Sequence, residues 1–338
     1  MSTIKDVSRM AHVSTTTVSI IINGKAEERH ISQETINKVN KAVKELNYQP
    51  SISAKTLRTA EPSKFTVGLY WVTESRTSLL ARFINGLQQR KLTAKIDVNI
   101  VICPYRANKL CEETDIYSTN SYNAIIIANA SEKDMFNIHE KKLLVPTIIN
   151  NRYTDLYHMV AIDNEAAGAL AAEHLAERNV KSAGIVCLNS GYHAMNSATK
   201  GFAEKCKESN IVISKKHIFF TGLTIEDGYE IGKKLCDLGE LPEAIFFDND
   251  STAIGALSFF NKHGVRVPDD VQLIAMGLGN PNYARFYTPS ITVIDIPLEK
   301  MGKECFDIIE KIAVHSLDGL EHRIFQPKIY PRQSTKML

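Results

Sequence analysis

The fold class this sequence predicts is an α/β body of doubly wound parallel sheets carrying a small three-helix head, and three observations predict it. From Phe65 onward, apolar runs alternate with amphipathic helical stretches, the pattern of parallel strands with helices on both faces. The first 64 residues hold ten Lys or Arg against six Asp or Glu, a net of +4, whereas the rest holds 30 against 32, a net of −2. The chain has 338 residues, which at roughly 150 residues per domain is about two units. With 44% hydrophobic and 23% charged residues it can bury real cores, which excludes collagen-like, disordered and coiled-coil chains. Apolar runs such as Ala124 to Ala128 fall far short of the ~20 residues a membrane span needs, and the start Met1-Ser2-Thr3-Ile4-Lys5-Asp6 has no apolar signal region. A cytoplasmic protein without a membrane partner is expected. The six cysteines, at 103, 111, 187, 206, 236 and 305, show no Cys-x-x-Cys spacing, so reduced thiols are expected, with no metal and no cofactor.

The head comes first. Ile4, Val7, Met10 and Ala11 have the spacing of a short amphipathic helix over Ile4 to Ala11, with Thr3 as its N-cap. His12-Val13-Ser14 interrupts it, and Ser14 caps a second helix, Thr15 to Ile22, whose Val18, Ile21 and Ile22 face the first. A third helix, Gln33 to Leu46, is capped by Ser32 and carries Ile36, Val39, Val43 and Leu46 on one stripe. Two short helices joined by a tight turn and closed by a third make a helix-turn-helix, in which the start of the second helix reaches base edges in the major groove. Thr15, Thr16 and Ile20 share an exposed stripe and are the base-reading candidates, Ile20 toward a thymine methyl. Ser14, Thr17, Ser19 and Asn23 are placed for phosphates, which fix register without reading sequence.

In the body, strands are expected at Thr66 to Val72, Asp97 to Cys103, Ala124 to Ala128, Thr147 to Asn150, Ser182 to Cys187, Ala244 to Phe247, Gln272 to Met276 and Thr292 to Ile296. Helices are expected at Leu79 to Leu92, Glu165 to Arg178 and Thr199 to Ser209. Ligands of doubly wound sheets bind beyond the carboxyl ends of the strands. That places Trp71 and Thr73, at the end of the first body strand, among the candidate ligand residues, the indole either stacking on a ring or filling core. No dinucleotide-binding glycine motif, Walker loop, nucleophile elbow or paired-histidine metal motif is present, so the body is read as a sensor and not as an enzyme.

Several segments carry a resemblance. Thr3-Ile4-Lys5-Asp6-Val7, Ala11-His12-Val13-Ser14-Thr15-Thr16-Thr17-Val18-Ser19, Ile22-Asn23-Gly24 and Leu46-Asn47-Tyr48-Gln49-Pro50 resemble the headpiece of the lactose-repressor (LacI) family of bacterial transcription regulators. The likeness continues through Val160 to Leu175, Asn249-Asp250 with Gly255-Ala256-Leu257, Val267-Pro268-Asp269-Asp270-Val271 and Arg332-Gln333-Ser334-Thr335. Lys25 to His30 looks about three residues longer than the family pattern. The resemblance implies a headpiece at residues 1–49, in which Tyr48 also contacts the DNA backbone, and a hinge helix and linker at 50–64. Pro50 to Leu57 is too short to hold a helix alone. By resemblance it orders in the minor groove, with Leu57 as the wedge at the central base step and Ala54 and Lys55 beside it.

The resemblance further implies that residues 65–338 form a two-lobed, periplasmic-binding-protein-like (type I) effector domain. Its N-lobe is expected at about 65–163 and 295–322, its C-lobe at about 164–294 and 323–338, with crossings near Asp163, Asp295 and His322. Asn249 matches an effector-binding position, Asp250 is expected to cap the following helix, and Asn151 stands where the family has an acid. Asp248 adds a charge at the rim. Three usual anchors are missing: the effector-binding arginine appears as Ala198, an acid as Gly279 and an aromatic wall as Leu223.

The expected function is a DNA-binding transcription regulator of the repressor type, controlled by a small-molecule effector, a sugar or derivative by resemblance. The alternative is control by a protein partner with a degenerate pocket. A head this small makes few base contacts, so a homodimer on a pseudo-palindromic operator in double-stranded DNA is expected.

Overall fold

The structure is a computed structural model and describes residues 4–22, 26, 29–46, 64–73, 77–188, 193–279 and 283–338. The head comprises α1 (Ile4–Ala11), α2 (Thr15–Ile22) and α3 (Gln33–Glu45). Its core is Val7, Ala11, Val18, Ile21, Ala26, Val39 and Ala42, the inward stripes of the three helices plus one residue of the connecting loop. Ser32 caps α3 by accepting the Thr35 N–H at 3.3 Å. Thr3 lies outside the described residues.

The body begins with β1 (Phe65–Val72), α4 (Thr77–Lys91), β2 (Val98–Tyr105), β3 (Ala124–Ala128), α5 (Glu132–Glu140), β4 (Thr147–Asn150) and β5 (His158–Ile162). It continues with α6 (Asn164–Glu177), β6 (Ser182–Leu188), α7 (His193–Glu208), β7 (Val212–Thr221), α8 (Ile225–Asp237), β8 (Ala244–Phe247), α9 (Asp250–Lys262) and β9 (Gln272–Gly277). Last come β10 (Thr292–Asp295), α10 (Leu298–Ala313), β11 (His322–Phe325) and β12 (Lys328–Tyr330). Two six-stranded sheets result, ordered β11-β5-β4-β3-β1-β2 in the N-lobe and β12-β10-β9-β8-β6-β7 in the C-lobe. All pairings are parallel except β10 with β12.

Each sheet is apolar on both faces, as a parallel sheet covered by helices must be. On β1, Val67, Leu69 and Trp71 face one core while Tyr70 and Val72 face another. Side-chain alternation along the strand thereby feeds two helix layers. In the C-lobe, Ala167, Ala171 and Leu175 of α6 and Phe202 of α7 cover one face, and Ile231 of α8 with Ala256 and Phe260 of α9 cover the other.

The chain passes between the sheets three times: after β5 at Asp163, after β10 at residues 296–297, and between β11 and β12 at 326–327. The last corrects the expected crossing at His322, because His322 to Phe325 stay with the first sheet, paired to Met159 through Ile162. Sequence reading also missed β5, β7, β11 and β12. β7 contains Lys215, Lys216 and His217 in its middle, and β11 and β12 are exposed on alternate residues, so these three lack the continuous apolar run of a central strand, whereas β5 has one in Met159 to Ile162.

Candidate functional site

Ser14 organises the start of α2. Its Oγ accepts the Thr17 N–H at 3.0 Å and lies 2.9 Å from Thr17 Oγ1, satisfying a free donor of the helix end. Val18 and Ile21 are buried against α1 and α3, which turns Thr16 fully outward and leaves Thr15, Ser19 and Ile20 half-buried on the flanks. The structure therefore keeps Thr15, Thr16 and Ile20 on the accessible side of α2, with Ser14 and Thr17 at its N-terminal tip. Asn23, Tyr48, Ala54, Lys55 and Leu57 lie outside the described residues.

In the body the strand ends of the two lobes form two rims. On the C-lobe rim, Asp248 and Asn249 follow β8 and are 1% and 0% exposed. Asp248 Oδ2 accepts the Leu188 N–H at 2.6 Å, and its Oδ1 accepts from Asn249 Nδ2 at 3.1 Å. Asn249 Oδ1 accepts the Thr252 N–H at 2.9 Å, so Asn249 is the N-cap of α9. This corrects the expectation that Asp250 caps that helix. The Asp250 carboxylate instead accepts the Gly279 N–H with both oxygens, at 3.1 and 2.9 Å. A Cβ at Gly279 would stand 2.7 Å from Asp250 Oδ2, so a side chain here would displace the carboxylate that holds the Gly279 N–H.

On the N-lobe rim, Trp71 is buried with its ring 5.7 Å from that of Phe83, and its indole N–H has no hydrogen-bond partner among the described residues. Of the two readings of Trp71, the structure places it in the core. Thr73, beyond the end of β1, is exposed, and its N–H donates to Tyr105 O at 2.8 Å. Asn151 sits in the left-handed region at φ 59°, like Asn129 at φ 56°. Asn151 Nδ2 donates to Asn129 Oδ1 at 2.9 Å, and Asn164 Nδ2 of α6 donates to Asn151 Oδ1 at 3.2 Å. A chain of three amides thus runs from the N-lobe across to the first helix of the C-lobe. The Asn129 Nδ2 at its end has no partner among the described residues. Arg152 is buried and donates to the carbonyls of Ala130 at 2.6 Å and Asn151 at 2.5 Å. A cavity of about 630 Å³ opens here, lined by Asn151, Arg152 and Tyr153 on one side and by Asn164, Ser197 and Glu204 on the other.

The structure brings Asp248 with Asn249, and Trp71 with Thr73, to the ends of facing sheets, whereas Asn151 belongs to the flank beside α6. Ala198 is buried in the core beside Phe202 and Cys206, and Leu223 is half-buried. Sequence reasoning missed Asn129, Asn164 and Arg82. The first two carried a signal in hindsight, since asparagine is the residue other than glycine that most readily adopts φ > 0 and bonds its neighbours in turns. Among the described residues, no group of three or more His, Cys, Asp or Glu is placed to hold a metal ion, and no helix is long and apolar enough to cross a membrane.

Comparison with known proteins decides the family. Residues 3–51 match the family described as bacterial regulatory proteins, lacI family, and residues 172–335 match the periplasmic binding protein-like domain. An HTH-type transcriptional repressor PurR from Histophilus somni is 30% identical over 352 residues, covering all of both chains. The chain belongs to the LacI family. Among solved structures, a LacI family transcription regulator from Clostridium acetobutylicum is 34% identical, with a TM-score of 0.76 over 80% of this chain and all of that one. The lac repressor dimer, at 18% identity and a TM-score of 0.70 over 99% of each chain, shares the fold. This LacI-family member is thus a DNA-binding transcription regulator with an effector-binding body.

Proposed function

We propose that the protein is a cytoplasmic, homodimeric repressor without enzymatic activity, which binds a pseudo-palindromic operator and is released or tightened by a small molecule in the inter-lobe cleft. In this reading residues 1–49 are the DNA-reading head, 50–64 the hinge that orders on DNA, and 65–338 the effector body. The observation that carries it is the Ser14-capped α2, held by Val18 and Ile21 so that Thr16 stands clear of the protein. Thr15, Thr16 and Ile20 read bases. Ser14, Thr17, Ser19, Asn23 and Tyr48 hold phosphates, and Ala54, Lys55 and Leu57 enter the minor groove. Exposed Ile102 on the edge strand β2, and Phe220 and Phe286 in the C-lobe, supply apolar surface for a dimer made through the body.

Trp71, Thr73, Asn151, Asp248 and Asn249 are the proposed effector residues, Trp71 by packing. With Asp248 and Asn249 engaged in internal bonds and Asn151 neutral, ordinary sugar anchoring is replaced by an altered pocket. Selection from random duplexes, followed by mobility shift at two salt concentrations, tests the DNA reading. Affinity should fall steeply with salt. Thr16→Ala should relax base preference at one position of each half-site by about 1–3 kcal/mol. Failure of the full-length protein to retain any duplex would overturn it. For the effector, a thermal-shift screen over sugars, phosphosugars, nucleosides and amines decides, and strong stabilisation by a plain hexose alone would count against the altered pocket.

A further inference from the structure

Arg82 of α4 is the most highly bonded side chain at the junction of the lobes. Its guanidinium has five N–H groups and makes five hydrogen bonds, with the Asp295 carboxylate also 3.7 Å from Nη2. Nε and Nη2 grip the two oxygens of Glu299, on α10 of the N-lobe, each at 2.9 Å. Nη2 also donates to Ile296 O at 2.9 Å, in the strand that crosses between lobes. Nη1 donates to Gly277 O at 3.1 Å and Gly279 O at 2.8 Å, both at the C-terminal end of β9 in the C-lobe. Arg82 is 8% exposed, so these are desolvated, charge-assisted bonds. Burial pushes the Glu299 carboxyl up, but the guanidinium more than offsets this and holds it below its ordinary range.

The grip is rigid on its N-lobe side. A Cβ at Gly86 would fall 2.0 Å from Glu299 O, so α4 and α10 pack backbone to backbone and fix both ends of the Arg82–Glu299 pair. On the C-lobe side, Gly279 is held from both directions, its carbonyl by Arg82 and its N–H by Asp250, the residue after the α9 cap Asn249.

We propose that Arg82 is the positioning residue that ties the effector-site loop of the C-lobe to the α4–α10 platform of the N-lobe, so that any change in lobe closure must break or remake its carbonyl bonds. The proposal rests on the reading of the cleft as the effector site. It gives Gly279 a role in place of a side-chain anchor: its backbone is the link between the α9 terminus beside Asn249 and the helix after β1. The clasp then sets the resting arrangement that an effector shifts, with a coupling of about 5- to 150-fold, the usual allosteric range.

The test is made on the full-length protein. In Arg82→Gln, amide hydrogen exchange at residues 277–279, 296, 298 and 299 should quicken at least tenfold while β1 to β3 keep their protection, and acrylamide quenching of Trp71, the single tryptophan, should rise. Arg82→Lys, with charge but no fork, should fall between this variant and the wild type. If Arg82→Gln does not fold, Arg82→Met combined with Glu299→Met and Asp295→Asn removes the buried charges together and should give the same local loosening. Unchanged exchange at 277–279 overturns the clasp, and equal loss of protection throughout the N-lobe reduces Arg82 to a packing role. Affinity for a duplex selected by the wild type should change at least fivefold in the clasp variants; local loosening with unaltered affinity overturns the coupling. If the wild type itself binds no duplex, the regulatory reading fails while the exchange measurement still judges the clasp.

Discussion

The two rims that face the cleft are built from similar residues and behave oppositely. On the C-lobe rim, Asp248, Asn249 and Asp250 are all buried, and their bonds run inward to Leu188, Thr252 and Gly279. On the N-lobe rim, Asn129 and Asn151 bond mainly to each other, and the Trp71 indole and Asn129 amide keep buried N–H groups without partners among the described residues. For Asn249 and Asn151 the difference follows from the element that succeeds the strand. β8 runs straight into α9, whose free N–H groups claim any nearby side-chain oxygen. β4 runs into the irregular segment 151–157 before β5, which makes no such demand. The side-chain oxygen of Asn249 is therefore spent on the helix that follows its own strand, whereas that of Asn151 accepts from Asn164 of α6.

The largest expected effect tests the C-lobe rim. Asp248→Ala strands the Leu188 N–H and the Asn249 amide in a buried site, and at about 1–3 kcal/mol for each orphaned donor the protein should lose about 2–4 kcal/mol in urea unfolding. A loss below about 1 kcal/mol would break the comparison. Acid is next. Burial, and after it the Arg178 charge, push the His174 imidazole down to about 4 from 6.5. The unfolded chain then binds the extra proton first, so stability is full above pH 6.5 and declines as pH falls toward 4, by a total on the order of 1–3 kcal/mol. His174 ties α6 of the C-lobe to Thr335 at 2.9 Å, whereas burial lowers His158 of the N-lobe against the opposing Glu321 charge. Exchange measured across this range should therefore show the C-lobe loosening before the N-lobe.

Smaller effects sharpen the contrast. Asn249→Ala removes the α9 cap and should cost about 1–2 kcal/mol by thermal unfolding. Asn151→Asp on the other rim should shift stability by about 0.5 kcal/mol or less. A carboxylate there still accepts from Asn164 and, once the Asn129 amide turns over, from its unpartnered Nδ2. This variant should move the thermal-shift profile toward hydroxyl-rich ligands, and a loss above about 1.5 kcal/mol would show the N-lobe rim to be no freer than the C-lobe rim.

The head was legible because its three helices are short, amphipathic and capped by Ser14 and Ser32, signals that act within four residues. Two central strands were legible for a similar reason, since β3 and β8 are uninterrupted apolar runs. β11 and β12 were not, because each takes its strand character from the neighbour it pairs with. The crossing between them falls at 326–327 for the same reason. The residues Asn249 and Asp248 were legible as candidates by motif, but not the internal use of their oxygens, which depends on the Leu188 N–H brought 60 positions across the sheet.

Sequence alone determined the order of head and α/β body, the inward faces of the helices and the family, because local periodicity, capping and motif spacing are properties of neighbouring residues. Only the tertiary structure decided which polar groups at the strand ends are spent, how Gly279 is held, and that one arginine of α4 spans both lobes. Those outcomes depend on hydrogen bonds between groups up to 217 positions apart, whose strength comes from burial that no local stretch of sequence can report.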